Sequence, residues 1–276
     1  MAEQTTITIK PKTNLLTIDL NELWRYRELF FIFAWRDVKV RYKQTVLGVA
    51  WAIFQPIISM IIFTVFFGNL AKVPSGDLPY SLFVLCGLVF WNFFSGSLSH
   101  ATNSLIDNEN IIKKVYFPKL ILPISSVVTS FIDFAINLTI LFAFALAMKY
   151  IPSPMALVII PLGVIITAIG SAGLGLGLSS FNVKYRDVRY VLPFFIQLLM
   201  FLTPVIYPTT IVRPTNKLIM AINPMTGVIE AVRSVISGST IIDWPILGLS
   251  FISSIFIFLI GLYYFRSTEK FFADIV

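Results

Sequence analysis

Residues 154–181 read PMALVIIPLGVIITAIGSAGLGLGLSSF, a stretch without a single charged side chain. An α-helix rises about 1.5 Å per residue, so about 20 apolar residues are enough to cross a hydrocarbon core of roughly 30 Å. Lipid offers the backbone no hydrogen-bond partners, so a spanning segment must satisfy its own amide groups, as a helix does. These residues therefore predict a membrane-spanning helix.

Five further apolar blocks lie on either side of this one. Of the 276 residues, 57% are hydrophobic and only 13% are charged, and the mean hydropathy is +0.85. Soluble domains carry about 25% charged residues, so the composition excludes a soluble enzyme, a disordered chain and a secreted disulfide scaffold. We predict an all-α integral membrane protein with six transmembrane helices at about residues 46–67, 80–99, 120–148, 154–181, 190–206 and 245–265.

The amino-terminal part is polar and then amphipathic. Residues 1–17 predict a flexible tail, after which apolar positions from Leu23 to Phe33 recur at helical spacing. Interspersed arginines and lysines favour an amphipathic interfacial helix over residues 18–45, lying in the headgroup plane. A soluble helix packed on another subunit fits the same pattern. The six-span domain then covers residues 46–265, and residues 266–276 are predicted to form a cytoplasmic tail.

The distribution of the 21 lysines and arginines predicts the orientation. Most of them lie before the first block, between blocks two and three, between blocks four and five, and after the last block. The positive-inside rule places these segments, and both termini, in the cytoplasm. Because topology accounts for the net charge of +7, no nucleic-acid partner is expected.

Two connections are longer than a turn. The inner one, residues 101–119, predicts a short charged helix with an aromatic tip. The outer one, residues 208–244, contains an apolar, helix-like run at 225–236 that is too interrupted to span and too apolar for a solvated loop. It predicts an extracytoplasmic re-entrant helical hairpin between spans five and six.

Motifs for catalysis and metal binding are missing from the sequence. It contains no Gly-Lys dipeptide, and therefore no phosphate-binding loop of the GxxxxGK(S/T) type. His100 is the single histidine and Cys86 the single cysteine, so neither a His/Cys metal site nor an intramolecular disulfide is expected. The chain is predicted to be a non-enzyme without a cofactor of its own.

Two features inside the apolar blocks have more than one interpretation. Gly173 and Gly177 form a GxxxG face, which is typical of close helix packing rather than of nucleotide binding. Asp133 is the one acid well inside a block. It is either a functional carboxylate, such as a proton relay, or a structural one that packs against a polar neighbour such as Asn137, one helical turn away. The absence of a chain of titratable groups favours the structural interpretation.

Four sequence stretches resemble the membrane subunits of polysaccharide-export ABC transporters, the family that exports O-antigen, teichoic acid and related glycans on lipid carriers. They are RDVKVRYKQTVLGVAW at 36–51, NVKYRDVR at 182–189, LTPVIYP at 202–208 and NPMTGVIEAVR at 223–233. They occur in the family's order, and the resemblance extends over nearly the whole chain from about Asn21 onward.

The resemblance implies a homodimer in the inner membrane of a bacterium, docked to two copies of a nucleotide-binding ATPase subunit that binds ATP and Mg. The substrate would be a polyprenyl-diphosphate-linked polysaccharide. The segment expected to couple to the ATPase contains Asp107, Glu109, Lys113, Lys114, Tyr116, Phe117 and Pro118, and the gate helices, at about 208–238, contain Asn223, Pro224, Glu230 and Arg233.

The carrier's diphosphate is expected near Arg41, Lys43, Leu47 and Gly48. The two cations suit a diphosphate, although anchoring under the positive-inside rule would also explain them. Aromatic rings stack on sugar faces, so a glycan path is predicted along Trp51, Phe54, Phe63, Phe67, Phe90, Trp91, Phe201 and Tyr207. Interface belts and packing account for most membrane aromatics.

Two other functional classes fit parts of the pattern. A lipid or drug efflux permease of the ABC superfamily would share the topology. An intramembrane enzyme acting on polyprenyl-linked sugars would need facing carboxylates, and Asp107 with Glu109 is the only close acidic pair in a loop. The lysines beside that pair argue against such a site.

Overall fold

The computed structural model describes residues 20–43, 48–185, 187–212 and 214–272, and every regular element within these ranges is helical. The α-helices are α1 Leu20–Arg25, α2 Arg27–Lys43, α3 Gly48–Phe63, α4 Tyr80–Asp107, α5 Glu109–Ile112, α6 Ile121–Ala147, α7 Ala156–Lys184, α8 Val188–Leu202, α9 Pro214–Met220, α10 Pro224–Ile236 and α11 Trp244–Thr268. A π-helical turn, Thr64–Leu70, extends α3, and 3-10 turns occur at Thr209–Ile211 and Glu269–Phe271.

The described residues contain five helices that are long and apolar enough to cross a membrane. They are Ala50–Leu70, Tyr80–Asp107, Ile121–Ala147, Ala156–Lys184 and Trp244–Thr268. The all-α membrane class is therefore confirmed, and these five helices match five of the six predicted spans.

Helix α8 corresponds to the remaining predicted span and is shorter than expected. Its 15 residues extend only about 22 Å at 1.5 Å per residue. Helix α8 ends at Leu202 because Pro204 follows: Thr203, with φ −94° and ψ 139°, has the extended backbone that the residue before a proline prefers. A sixth complete span stays a prediction.

Helix α4 is the centre of the bundle. It packs against α6 on one side and α7 on the other, and α7 in turn packs along α11. Of the apolar window of α4, 78% is buried, against 11% for the α3 window. Helix α4 is thus a core element, whereas α3 presents most of its surface to lipid or to a partner.

Helices α7 and α11 approach to backbone contact. A Cβ atom on Gly261 of α11 would overlap the carbonyl oxygen of Gly173, and one on Gly173 would lie 2.6 Å from the amide nitrogen of Phe258. Gly177 also faces Gly261. The small-residue face predicted from the sequence therefore packs helices together, since only glycine permits this approach.

The amino-terminal amphipathic segment is helical from Leu20, with a break at Tyr26 between α1 and α2. Phe33 and Ala34 are its buried residues, and α2 packs against α6. Trp24 and Trp35 are largely exposed on its other side. The predicted tail, residues 1–17, lies outside the described residues.

The connection between α8 and α11 holds the predicted gate region. It contains a 3-10 turn, α9 and α10, and most of α10 is buried against α4, α7 and α11. The predicted helix at 225–236 is therefore present as α10. Its re-entrant position in a bilayer stays a prediction.

Candidate functional site

The carboxyl end of α2 is joined to the bundle by a polar cluster around Asp133. Arg41 donates to Asp133 Oδ2 of α6, and the Tyr42 hydroxyl donates to Asp133 Oδ1. Arg41 also contacts His100 Nε2 of α4, and this nitrogen must accept because a guanidinium only donates. Burial and the hydrogen bond to Asp133 raise the pKa of the Tyr42 hydroxyl, so it stays a neutral donor. Arg41 therefore joins three helices: its own α2, α6 through Asp133 and α4 through His100.

The ion pair with Arg41 explains how Asp133 is accommodated inside a candidate span. Asp133 is 92 residues from Arg41 in sequence, and the ion pair places both side chains at 30% exposure. A carboxylate at membrane depth is normally paired, and here the partner is a cation from α2 rather than the neighbouring Asn137. No local signal in the sequence marks this pairing, and sequence reasoning did not single out Tyr42 at all.

Two cavities share Arg41 in their lining. The α3–α4–α6 cavity has a volume of about 490 Å³, and its lining includes Arg41, Tyr42, Trp51, Gln55, Asn92, Ser130, Asp133 and Asn137. The α2–α4–α6 cavity has a volume of about 420 Å³, and its lining includes Arg36, Asp37, Arg41, His100, Ser104, Asp107 and Asn108. Both fall in the size range of small-molecule sites.

Of the other three residues predicted to bind the carrier's diphosphate, the structure describes Lys43 and Gly48. Lys43 is the last residue of α2 and is exposed. Gly48 is the first residue of α3, and Leu47 lies outside the described residues. Arg41 and Lys43 therefore lie at the end of α2 that leads to α3, which is the side of the bundle where the α3–α4–α6 cavity is found.

The predicted coupling segment is mostly irregular. Helix α5 has only four residues and is held by a 3.0 Å ion pair between Lys113 and Glu109. At the end of α4, Asp107 lies 3.6 Å from Arg189 of α8. The acidic pair considered for an enzyme is therefore occupied by basic partners.

The aromatic tip of this segment divides into two parts. Tyr116 is 57% exposed, whereas Phe117 is 3% exposed and packs against Phe33 of α2, with ring centroids 5.7 Å apart. Pro118 is also buried. Partial burial raises the pKa of the Tyr116 hydroxyl, with nearby acidic groups adding to the effect. Tyr116, with Lys114 beside it, remains the accessible part of the tip.

The aromatic residues predicted to form a glycan path occupy different environments. Trp51, Phe54 and Phe201 are more than half exposed. Phe63, Phe67 and Tyr207 are partly buried against the core. Phe90 and Trp91 are buried within the subunit, with Phe90 edge-on to Phe134 at 5.0 Å and Trp91 against Phe94 at 5.6 Å. The accessible rings are therefore those on α3 and at the end of α8.

The residues predicted for the gate helices form a network. Asn223 caps α10 by accepting from the Met225 amide at 3.0 Å, beside Pro224 at the first helical position, and its amide donates to Thr203 Oγ1 at 2.7 Å. Glu230 accepts from the Thr209 amide and pairs with Arg233. Arg233 is 5% exposed, and its guanidinium lies 3.4 Å from the centroid of the Phe83 ring.

Within the described ranges, no group of three or more His, Cys, Asp or Glu side chains is placed to hold a metal ion. The site is thus built from a cation pair at the end of α2, neutral polar side chains in the adjoining cavity and exposed aromatic rings on the outer helices. Together with five candidate spans, this arrangement describes a helical membrane protein with a polar cavity and exposed aromatic rings.

Sequence comparison identifies the family. The profile of the ABC-2 type transporter family matches residues 28–237, and the chain belongs to that family. It is similar to the O-antigen export system permease protein RfbA of Myxococcus xanthus, with 28% identity over 78% of this chain and 83% of the relative. A protein of the same name from Klebsiella pneumoniae is 27% identical over 90% of this chain and 95% of the relative.

A more distant relative has a related name. The polysialic acid transport protein KpsM of Escherichia coli is 22% identical over 85% of this chain and 91% of its own length. The family resemblance inferred from the four sequence stretches is therefore confirmed.

Proposed function

We propose that the chain is the membrane-spanning permease subunit of an ATP-driven exporter that moves a lipid-linked polysaccharide across the cytoplasmic membrane. The observation that carries this proposal is similarity over nearly the whole chain to relatives named for O-antigen export and polysialic acid transport. O-antigen, teichoic acid or a related glycan on a polyprenyl diphosphate is the substrate class. The location is the inner membrane of a bacterium, with both termini in the cytoplasm.

ATP hydrolysis belongs to a separate subunit, of which two copies bind the exporter. The full sequence lacks a Gly-Lys dipeptide, so it has no phosphate-binding loop of the GxxxxGK(S/T) type. Exposed Tyr116 and Lys114 offer the ATPase a contact surface. The adjacent residues Phe117 and Pro118 are buried in the bundle and fix the position of this exposed surface.

The working unit is a homodimer. The centre of one subunit is filled by α4, whose side chains pack closely with α6 and α7, so a polymer has no route through it. Helices α3 and α8 expose aromatic rings at Trp51, Phe54 and Phe201. Two subunits that face each other through these helices would enclose a conduit in which sugars slide over aromatic surfaces.

The carrier's diphosphate binds at the end of α2. Arg41 supplies a planar donor group whose orientation is fixed by Asp133 and His100, and Lys43 supplies an exposed point charge. Guanidinium groups bind phosphate through two parallel hydrogen bonds, and an ammonium adds attraction without that geometry. The neighbouring Gly48 begins α3 and has no side chain to obstruct a phosphate.

Export in cells tests the proposed function. A strain that lacks the gene should lose surface polysaccharide and accumulate the lipid-linked glycan inside, and the intact chain should restore both. The Arg41→Gln, Lys43→Gln double variant should fail to restore export, whereas Lys39→Gln, which removes an exposed cation from the same helix, should succeed. Unchanged surface glycan in the deletion strain, together with altered lipid or drug efflux, would replace the polysaccharide with another substrate class.

A further inference from the structure

We propose that the α3–α4–α6 cavity is a sugar subsite that binds the carrier-proximal sugar of the lipid-linked glycan. The inference rests on the proposed function. In it, the cavity is the site at which the exporter distinguishes the sugar that is attached to the diphosphate. The cavity adjoins Arg41, which lines it together with Asp133. A diphosphate held at Arg41 therefore leaves the first sugar within reach of the cavity.

An unpartnered polar atom inside the cavity points to a ligand. Asn137 is only 5% exposed, lines the cavity, and its Oδ1 has no hydrogen-bond partner in the described part of the chain. A buried amide oxygen without a donor is destabilising, and such groups are normally paired. A sugar hydroxyl is a suitable donor, because it can give a proton to Asn137 and accept one from a neighbouring amide.

The other lining groups share this chemistry. Asn92 and Gln55 are neutral amides that both donate and accept, and Ser130 keeps acceptor capacity on a hydroxyl that donates to the Ser126 carbonyl at 3.2 Å. Trp51, more than half exposed, adds a flat aromatic ring to the lining. Amides, a hydroxyl and an aromatic face match a sugar ring, which has hydroxyls at its edge and C–H groups on its faces.

Charge and size argue against other occupants. The charged side chains that line the cavity, Arg41 and Asp133, are paired with each other at one end, so a cationic drug finds no unpaired carboxylate there. A volume of about 490 Å³ suits a small solute and cannot hold a polymer. An acyl chain would leave the amide groups without partners.

The test compares carriers with and without a sugar. The exporter, assembled with its ATPase in lipid nanodiscs, is titrated with synthetic polyprenyl diphosphate alone and with the same lipid carrying one glucose, galactose, N-acetylglucosamine or N-acetylgalactosamine. The wild type should bind at least one of the sugar-bearing lipids roughly tenfold more tightly than the bare lipid, as one or two added hydrogen bonds to a buried group would give.

Two variants each remove one polar side chain from the cavity lining, on different helices. Asn137→Leu on α6 and Asn92→Leu on α4 should each abolish the preference for the sugar-bearing lipid and leave binding of the bare lipid unchanged. Thr139→Val is the matched control, because Thr139 lies on α6 two residues from Asn137 but is exposed. It should retain the full preference.

The outcomes separate this inference from the proposed function. Failure of the wild type to bind any of these lipids would overturn the carrier site, and the sugar subsite with it. Equal binding of the bare and all four sugar-bearing lipids would overturn the subsite alone. The subsite is likewise overturned if both leucine variants, recovered as folded complexes, keep the wild-type preference.

Discussion

Arg233 Nη2 donates to the carbonyl oxygen of Val205 at 2.7 Å, across 28 residues of sequence. Had α8 continued, that carbonyl would accept from the amide of Thr209. The chain leaves the helix at Thr203, and the Thr209 amide donates to Glu230 instead. Arg233 and Glu230 together satisfy the two backbone groups that this one helical bond would have paired. Arg233 also donates through Nε to the Phe83 carbonyl at 3.2 Å, which joins α10 to α4.

Arg233→Gln should lower the stability of the subunit by roughly 3 kcal/mol, because it leaves buried carbonyls without donors and Glu230 without its cation. The measurement is the denaturation midpoint of the detergent-solubilised protein, followed by tryptophan fluorescence. Arg189→Gln is the control, since that cation pairs with Asp107 at the surface and should change the free energy of unfolding by less than about 1 kcal/mol. Equal effects of the two variants would contradict a structural role for Arg233.

Gly261→Ala should force α7 and α11 apart, because the new methyl group would overlap the Gly173 carbonyl oxygen. We expect a loss of roughly 2 kcal/mol or more in the free energy of unfolding, with a matching fall in the denaturation midpoint. Gly248→Ala, on the same helix, meets no atom within 4 Å and should be neutral or slightly stabilising. A stable Gly261→Ala protein would show that the two helices are not held in this contact.

Tyr116→Ala and Phe117→Ala should have different effects, although the two residues are adjacent. Phe117 is buried against Phe33, so its truncation should destabilise the subunit by roughly 3 kcal/mol. Tyr116 is exposed, so its truncation should leave the denaturation midpoint unchanged but reduce co-purification of the ATPase subunit. Normal ATPase recovery and export with Tyr116→Ala would rule out this residue as a coupling contact.

Arg41→Gln should affect both stability and carrier binding, because it removes the partner of Asp133 as well as a phosphate ligand. The stability loss should be about 1 kcal/mol for a pair that is partly exposed. Adding Asp133→Asn should restore the denaturation midpoint but not the stimulation of ATPase activity by the lipid-linked glycan. Lys43→Gln should lower that stimulation alone. If the double variant regains stimulation, Arg41 serves the fold and not the substrate.

The orientation is tested by labelling intact cells with a membrane-impermeant thiol reagent. A cysteine introduced at Asp77, in the exposed turn before α4, should react, whereas one at Asn110 should react only after the membrane is permeabilised. The wild type is the control for background, since Cys86 is buried. Labelling at position 110 in intact cells, with none at position 77, would reverse the predicted orientation.

Hydrophobic blocks predicted the long helices well, because lipid imposes a minimum length and permits little else. The shortness of α8 was harder to predict, since the apolar run continues past Leu202 and the helix ends through the backbone effect of Pro204 rather than through polarity. The four-residue spacing of Gly173 and Gly177 predicts the glycine face on α7. It does not predict that α11 is the helix that packs on this face.

The candidate site was predicted only in part. The charge of Arg41 predicts a phosphate contact, but its pairing with Asp133 joins residues 92 positions apart and has no periodic signature. Tyr116 and Phe117 form one motif in sequence, yet they point to different surroundings because α2 supplies Phe33 beside one of them. Such contacts depend on how helices are arranged in three dimensions, which composition and periodicity do not specify.

Helix α8 is tied to α4 near both ends, by bonds of unequal strength. The buried Tyr80 hydroxyl donates to the Ile206 carbonyl at 2.8 Å just beyond one end of α8, while the exposed Asp107 and Arg189 are 3.6 Å apart at the other. A force applied near α5 meets the weak tie first, since exposed ion pairs add at most about 1 kcal/mol. Loss of the Asp107–Arg189 pair would therefore separate the amino-terminal end of α8 from α4 while the Tyr80 hydrogen bond still holds the chain just beyond its other end.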